Sequence, residues 1–253
     1  MNASVKITAS DIPRRKLIVI SHERSGTHFL MNTMATNFGY ASKPWINFDF
    51  ELGINFHFPP AILKYLGKFK AYNMLNIVKS HHQLAFFEPI LPELLEDYQI
   101  LYIHRHPGDV MPSMMRLLNA LKADEGPRCA TPGELIRRAP SGGMMRYQKQ
   151  GQPNMIARWR DHVGPWVSYG EKDPRVAVIS YEDLYQDFEN TVRKLGAIVK
   201  QPVGEIRMPS STDNVVLPGK GGISDWKKKF SAEDVAFIRK HSGDLLTKLY
   251  PEA

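Results

Sequence analysis

The chain has 253 residues, of which 43% are hydrophobic, and no composition shift divides it, so we predict one domain spanning residues 1–253 with a full core. Its 33 Lys and Arg against 26 Asp and Glu give a formal charge of +7, which favours an anionic partner. The single cysteine, Cys129, excludes an intramolecular disulfide and any multi-cysteine metal site.

No apolar stretch approaches the roughly 20 residues that are needed to span a bilayer. The first residues, 1–6, also lack the apolar segment of a secretory signal. The sequence therefore predicts a soluble, cytoplasmic protein without a membrane span.

Four short apolar runs are each followed directly by a polar cluster. The runs are residues 16–20, 77–78, 100–103 and 176–179, and the clusters after them are residues 21–28, 79–81, 104–109 and 180–184. Such runs, alternating with helical patterns, are typical of buried parallel strands. Because open α/β sheets bind ligands outside the carboxyl ends of their strands, we expect the four clusters to converge on one site.

Helical patterns follow the first and third runs. Apolar residues at spacing four predict a helix over residues 27–38. After the third run, we expect Asp109 to be a helix N-cap and Pro112 to lie in the first turn. The aromatic-rich stretch 45–60 is predicted to be a packed loop or pocket wall, with core packing as the role of most of its rings.

The second half of the chain contains one region without periodicity. Residues 120–153 are rich in Gly, Pro and basic residues and are predicted to form a mobile substrate loop or lid. A helix is expected over residues 156–167 and another after Tyr181. Ser231 and the residue three positions later form a capping-box pattern, which predicts a helix continuing toward Tyr250.

The loop after the first run has the features of an anion site. Ser25, Gly26 and Thr27 lie between a strand and a helix N-terminus, where backbone N–H groups and the helix dipole attract anions, and Arg24 adds a fixed charge. No Walker A spacing is present, so magnesium-dependent ATP chemistry is not indicated. An ordinary strand-to-helix turn explains this segment about equally well.

Two further clusters carry candidate chemistry. Arg105 and Ser113 flank the start of the third-run helix and could bind a second anion, although Arg105 could instead pair with Asp109. Lys79 and His81 lie two positions apart and would share one face of a strand, placing a candidate base beside a candidate anion clamp.

A packed or solvated histidine is the commoner reading of a single His, and the adjacent His82 leaves the assignment of a base at His81 open. His104 and His106 also have strand-like spacing. With no matching Cys, His or carboxylate spacing, they are assigned no metal role.

Taken in order, these segments resemble the motifs of the cytosolic-type, single-domain sulfotransferases that use 3′-phosphoadenosine 5′-phosphosulfate (PAPS). The matching segments, within residues 16–230, are Arg24-Ser-Gly-Thr-His-Phe29, Lys79-Ser80-His81, Tyr102-Ile-His-Arg-His-Pro-Gly-Asp-Val110 with Ser113, Tyr181-Glu-Asp-Leu184, and Gly219-Lys-Gly-Gly-Ile-Ser-Asp-Trp-Lys227. The family implies a P-loop-like, three-layer α/β fold in which helices flank a central, mainly parallel sheet.

The resemblance also implies roles for individual residues. The 5′ end of the nucleotide would be held by Arg24, Ser25, Gly26, Thr27 and His28. Adenine would stack on Phe29 and lie near Tyr181. The 3′-phosphate would be bound by Arg105, Ser113, Lys220 and Gly221. His81 would be the general base, while Lys79 and Arg24 would offset developing charge.

Two positions depart from the family pattern: Gly219 stands where the late motif usually has Arg, and Ser224 stands where it usually has Gly. Either change could alter nucleotide affinity or loop geometry. Phe29 replaces the Trp that is common in animal members and preserves an aromatic face.

The expected reaction is direct in-line transfer of a sulfonate group from PAPS to a hydroxyl or amine of a small molecule. The product would be adenosine 3′,5′-bisphosphate (PAP), and no metal would take part. The alternatives are a non-catalytic nucleotide-binding regulator and an ATP-dependent P-loop-like kinase. An RNA-binding module is disfavoured because no aromatic RNA-binding motif accompanies the charge. The identity of the acceptor and the formation of a homodimer stay open.

Overall fold

The computed structural model describes residues 14–48, 57–70, 74–210 and 222–251. The strands in these ranges are β1 (Lys16–Ser21), β2 (Ala41–Asn47), β3 (Asn76–Ser80), β4 (Tyr98–His104) and β5 (Val176–Ser180). The α-helices are α1 (Thr27–Phe38), α2 (Pro59–Lys70), α3 (Leu91–Asp97), α4 (Pro107–Ala120), α5 (Pro132–Arg137), α6 (Met155–Gly170), α7 (Tyr181–Gln186), α8 (Phe188–Val199), α9 (Ala232–Ser242) and α10 (Asp244–Leu249).

The five strands form one parallel sheet in the order β2-β3-β1-β4-β5. β1 pairs with β3 on one side and with β4 on the other. Since the connections leaving β1 and β3 run to opposite sides of the sheet, a crevice opens at the carboxyl ends of the central strands. The polar clusters that follow β1, β3 and β4 meet at this crevice, and β5 brings the fourth cluster alongside.

Side chains of β1 alternate between two apolar layers because successive residues of a strand point to opposite faces. Leu17 and Val19 belong to the layer formed with α1 and α8. Ile18 and Ile20 belong to the layer that includes α6 and the aromatic ring of Trp159. The sheet is therefore covered on both faces, which confirms the predicted three-layer α/β fold.

Several predicted elements are confirmed in detail. α1 has the expected bounds, β1 extends one residue beyond the predicted run to Ser21, and α6 includes the whole predicted helix. The capping box is present: the Ser231 hydroxyl accepts the Asp234 backbone N–H, and the Asp234 carboxylate accepts the Ser231 backbone N–H. The helical pattern after Tyr181 is two helices rather than one, because the backbone at Asp187 departs from helical geometry between α7 and α8.

The predicted loop over residues 45–60 contains regular structure. Its beginning is the end of β2 and its last residues begin α2, while residues 49–56 lie outside the described ranges. β2 pairs with β3 at Ala41 and again at Ile46 and Asn47, with a register shift between them. The irregular pairing explains why the segment lacks the alternation that would predict a strand.

The start of α4 was predicted wrongly. Its N-cap is His106, whose Nδ1 accepts the Gly108 N–H at 3.0 Å, and Pro107 is the first helical residue. Pro107 takes this position because its fixed φ suits a helix start and its missing N–H costs nothing there. Asp109 therefore lies inside the first turn, and Pro112 lies in the body of the helix.

Two other segments differ from the simplest sequence expectation. The C-terminal helix is divided into α9 and α10 at Gly243, where φ is 59°. Residues 120–153 contain α5 and a 3-10 helix at Gly142–Tyr147, and Leu135 and Ile136 are buried. Motion of this segment as a lid stays a prediction.

Candidate active site

The loop between β1 and α1 is an uncapped helix N-terminus. Gly26 occupies the N-cap position with φ 98°, and Arg24 also has a positive φ of 67°. No side chain caps α1, and its first turn carries no acidic residue. The first N–H groups of a helix have no acceptor within the helix, so this end of α1 presents donors and a positive dipole to an anion.

Glycine is required at position 26 for a second reason. A Cβ atom there would clash with the ring of Tyr181, which packs directly against the loop. The loop from β1 and the helix after β5 are therefore in contact at this point. The absence of a side chain allows both the left-handed backbone and this close approach.

Ser21, at the end of β1, joins the loop to His81. Its hydroxyl lies 2.6 Å from Thr27 Oγ1 and 3.3 Å from His81 Nδ1. His81 Nδ1 also lies 2.9 Å from the Ser21 carbonyl oxygen, which can only accept. Nδ1 therefore carries the proton, and Nε2 is the ring atom with the basic lone pair.

Lys79, His81 and His28 lie close together beside the loop. Lys79 and His81 are only 6% and 9% exposed. The pKa of His28 is lowered to about 4, chiefly by burial and further by the charges of Lys79, His81 and Arg24. The structure thus brings together the residues predicted to surround the reacting group.

Arg24 extends from the loop toward α4, where its Nε donates to the Ser113 hydroxyl at 3.0 Å. Burial lowers the pKa of Arg24, and the neighbouring charges of Arg116 and Arg105 lower it further. Arg116 lies one helical turn after Ser113 and was not predicted as a site residue. The charges of these three arginines act on one another, so this end of the crevice is strongly positive and suited to an anion.

Polar atoms of the loop are also buried without a protein partner in the described part of the chain. They are Ser25 Oγ and His28 Nδ1. Buried polar atoms in native proteins are almost always hydrogen-bonded, so such atoms in a positive crevice fit the oxygens of a bound phosphosulfate.

Arg105 leaves the end of β4 and lies over the ring of Tyr181, with its guanidinium carbon 4.2 Å from the ring centre. It donates to the Gly222 carbonyl at 2.6 Å, and the Gly222 N–H donates to the Tyr181 hydroxyl at 2.9 Å. The alternative pair with Asp109 is longer, at 4.0 Å. Gly222 therefore bridges two of the predicted nucleotide-binding residues.

Asp109 serves as an anchor for the segment after Gly222. Its carboxylate accepts a hydrogen bond from the Ser224 hydroxyl and another from Lys229 Nζ at 3.1 Å. Ser224 is one of the two departures from the family pattern, and this contact gives the departure a structural role: it fastens the late segment to α4.

The predicted adenine side of the crevice is an aromatic cluster. The Phe29 ring lies 6.0 Å from Tyr181 and 6.1 Å from Phe188 between ring centres. Tyr185, which was not predicted, stacks on Tyr181 at 6.0 Å and is 45% exposed. These rings present a surface of the kind that purines stack on.

The sequence of the chain was compared with the profiles of known domain families. The sequence profile described as the sulfotransferase domain matches residues 14–216, which is most of the chain. The chain belongs to the sulfotransferase family. This membership confirms the predicted family and the predicted enzyme class, a PAPS-dependent sulfotransferase.

Curated sulfotransferases align with this one at low identity. Human "Sulfotransferase 2B1" is 21% identical over 270 residues, covering 94% of this chain and 68% of the human protein. The guinea pig (Cavia porcellus) "3-alpha-hydroxysteroid sulfotransferase" is 27% identical over 159 residues, covering 53% of this chain and 50% of that protein. The aligned part of the chain thus spans from half to about two thirds of these relatives.

Two solved structures share the fold. Mouse sulfotransferase SULT7A1 complexed with PAP superposes with a TM-score of 0.65 at 20% identity, covering 94% of this chain and 89% of that one. Retinol dehydratase in a complex with retinol and PAP gives a TM-score of 0.60 at 17% identity, covering 91% of this chain and 81% of that one.

The polar residues of α6 that hold the β1 loop of this sulfotransferase in place were not predicted from the sequence. Arg158 on α6 donates to both carboxylate oxygens of Glu23, at 2.7 and 2.9 Å. Arg158 also donates to His22 Nε2 at 2.7 Å. The signal was present: Arg158 and His162 are polar residues four apart on a helix that otherwise buries apolar side chains.

Lys220 and Gly221, predicted to close over the 3′-phosphate, lie outside the described residues of the sulfotransferase, as does Gly219. Within the described ranges, no group of three or more His, Cys, Asp or Glu residues could hold a metal ion. None of the helices there is both long enough and apolar enough to cross a membrane.

Proposed function

We propose that this sulfotransferase moves the sulfonate group of PAPS to a hydroxyl or amine of a small molecule, with His81 as the general base. The nucleotide would lie along the carboxyl ends of β1, β4 and β5. The acceptor would approach from the side of β3, where His81 and Lys79 lie. PAP would remain as the product.

The proposal for the base rests on the tautomer of His81. Because the Ser21 carbonyl accepts the Nδ1 proton at 2.9 Å, the basic Nε2 is directed away from the β1 backbone. His81 would take the proton of the acceptor hydroxyl as the new oxygen–sulfur bond forms. The bond between sulfur and the bridging phosphate oxygen breaks at the same time, and its electron pair stays on that oxygen.

The charges around the crevice support stabilisation of the leaving group. Lys79 and Arg24 both act electrostatically on His28 at the start of α1. Positive groups fixed in a partly buried site stabilise charge that develops on a phosphate oxygen far better than exposed groups do. The low pKa of His28, about 4, keeps its ring neutral near pH 7, so it would bind oxygen by a hydrogen bond rather than by charge.

The nucleotide side is supported by separate contacts. Arg24 lies 3.0 Å from Ser113 and within electrostatic reach of Arg105 and Arg116, so a phosphate near Ser113 would be attracted by more than one arginine. Phe29 and Tyr181 would contact adenine. The solved relatives described above contain PAP, and their fold is the fold of this chain.

One observation carries the proposal: the β1 loop contacts both candidate subsites at once, through Ser21 at His81 and through Arg24 at Ser113. Calorimetric titration with PAP, ADP and ATP tests the nucleotide part. We expect PAP to bind at least about tenfold more tightly than ADP, since an extra phosphate contact to arginine is worth about 1.5–3 kcal/mol. Equal binding of ATP would refute it and favour the kinase alternative.

Replacing the base tests the catalytic part. We expect His81→Ala to lower kcat about 10²–10⁴-fold while the Kd for PAP changes by less than about threefold. Transfer of labelled sulfonate from PAPS to a panel of phenols, alcohols and amines measures this. A matched control is His82→Gln, because His82 lies beside His81 but its Nδ1 contacts Ser80 Oγ at 2.9 Å.

The outcomes of these experiments separate the alternatives. Loss of kcat in His82→Gln instead of His81→Ala would move the base to His82. Tight PAP binding by wild type with no transfer to any acceptor class would favour the non-catalytic regulator.

A further inference from the structure

We propose that His162, on α6, is a positioning residue that holds His81 in place for proton transfer. It does so from behind the crevice, by a hydrogen bond to the His81 main chain. This inference rests on the proposed role of His81 as the base. It assigns a function to a buried histidine that no motif identifies.

The His162 ring bridges two strands of the sheet. Its Nε2 lies 2.9 Å from the His81 carbonyl oxygen, directly after β3. Its Nδ1 lies 2.9 Å from the Tyr102 hydroxyl, on β4. His162 is 1% exposed, so both hydrogen bonds are shielded from water.

The donors and acceptors of this chain are fixed by chemistry. The His81 carbonyl can only accept, so His162 Nε2 carries the proton, and Nδ1 accepts the proton of the Tyr102 hydroxyl. Burial lowers the pKa of His162 well below its ordinary value, so the ring stays neutral and keeps this tautomer.

Aromatic contacts fix the plane of the His162 ring. Tyr102 stacks on it with ring centres 5.9 Å apart and planes inclined by 25°, and the same Tyr102 ring stacks on Trp166 at 5.6 Å. The His22 ring contacts it edge-on at 5.5 Å. A ring held at this many points can hold its hydrogen-bond partner with little freedom.

His81 is consequently fixed at two of its polar atoms. His162 holds the main-chain carbonyl, and the Ser21 carbonyl holds the ring Nδ1. The first contact sets where the residue leaves β3, and the second sets how the ring turns. Together they orient Nε2, which matters because a displacement of about 1 Å at a reacting group can cost about 10²-fold in rate.

The position of His162 on its helix ties the base to the nucleotide loop. Arg158 precedes it by four residues and therefore lies on the same face of α6. Arg158 binds Glu23 in the loop, while His162 binds His81. One face of one helix thus holds both parts of the proposed site in register.

Two variants that both carry a side-chain amide test the two hydrogen bonds of His162 one at a time. A glutamine amide reaches the position of Nε2, so His162→Gln keeps the donor to His81. An asparagine amide reaches only the position of Nδ1, so His162→Asn keeps the acceptor for Tyr102 and loses the bond to His81. Both variants remove the ring, so the destabilisation common to them cancels in the comparison.

We expect His162→Asn to lower kcat about 10- to 100-fold, with the Kd for PAP within about threefold of wild type, and His162→Gln to recover most of kcat. Transfer from labelled PAPS to 2-naphthol and to water measures kcat, and calorimetry measures Kd. Equal kcat values in the two variants would overturn the inference. A parallel loss of kcat and PAP binding would also overturn it, because it would show a structural role.

Failure of the proposed function gives a different result. Wild type would then transfer no sulfonate to any acceptor, whether or not it binds PAP and whatever stands at position 162. If neither variant folds, nitrogen NMR of the histidines in wild type tests the geometry directly, with His162 assigned through its contacts to Tyr102 and Trp166. We expect a neutral ring protonated at Nε2 from pH 5.5 to 8. A proton on Nδ1 would overturn the inference.

Discussion

Replacing Arg158 by Met removes the ion pair that holds the β1 loop from below. Arg158 is 1% exposed and donates to both carboxylate oxygens of Glu23, at 2.7 and 2.9 Å. Its Nε also donates to Gln148 at 2.7 Å. The variant therefore leaves a buried carboxylate and a buried amide without their donor.

The expected cost follows from the burial of the carboxylate. Arg158 holds the pKa of Glu23 well below its usual range despite the opposing effect of burial, so Glu23 is ionised near neutral pH. Removing one partner of such a pair costs about 3–5 kcal/mol. Glu23→Gln should cost about 1–3 kcal/mol, because its amide oxygen still accepts from Arg158. The double variant should cost no more than Arg158→Met alone.

Urea unfolding of wild type, both single variants and the double variant at pH 7.5 measures the coupling. We expect a coupling free energy of about 2 kcal/mol between the two positions. The single variant Arg158→Met should also weaken PAP binding, since the loop that carries Arg24 loses its support. Arg137→Met is the matched control: Arg137 pairs with Asp234 at the surface and should contribute at most about 1 kcal/mol.

Two results would refute this reasoning. One is additivity, with the double variant costing the sum of the single variants. The other is a cost for Arg158→Met that does not exceed the cost of Arg137→Met. Either result would show that the buried pair does not hold the loop.

Burial lowers the pKa of His104 to about 4, and its Nδ1 lies 2.8 Å from the hydroxyl of Tyr250, which donates to Glu182 at 3.4 Å. The pKa of a histidine in the unfolded chain is about 6.5, so the unfolded state takes up a proton before the folded state does as the pH falls. The stabilisation from neutral His104 is therefore complete above pH 6.5, and about 2 kcal/mol of it is lost by pH 5. His104→Asn should remove that part of the pH dependence in urea unfolding; an unchanged slope would contradict the assignment. Separately, Gly26→Ala should weaken PAP binding at least about tenfold and lower stability by about 1–3 kcal/mol, because of its positive φ and the clash with Tyr181. Gly67→Ala, in open space on α2, should instead stabilise the protein by about 0.5–1 kcal/mol. Equal effects of the two glycine substitutions on PAP binding would count against the loop geometry.

The central part of the fold could be predicted because it depends on local signals. The apolar run of β1, the glycine turn and the spacing-four pattern of α1 lie within residues 16–38 and need no distant partner. The same is true of the polar residues at the strand ends. The convergence of the clusters after β1 and β4 then followed from a rule about parallel sheets, whereas the contact between Arg24 and Ser113 was not predicted.

The missed features depend on contacts between distant segments. β2 forms through irregular pairing with β3, which leaves no alternation in the sequence. The N-cap of α4 is a histidine side chain that acts as an acceptor. Aspartate is a commoner residue at this position, which is why Asp109 was predicted instead. Arg158 and His162 stand out as polar residues four apart on an apolar helix face, but the sequence does not give their partners in the β1 loop and after β3, so their roles could not be predicted.

The bridge made by Gly222 has a consequence for the synthesis of the chain on the ribosome. All five strands lie before residue 181, so the sheet can assemble while the last part of the chain is still being made. Arg105 and Tyr181, however, both bind the backbone of Gly222. A nascent chain therefore completes the strands of its sheet well before it completes this bridge, and a truncated chain that ends before residue 222 would have all five strands without the contact that orients Arg105.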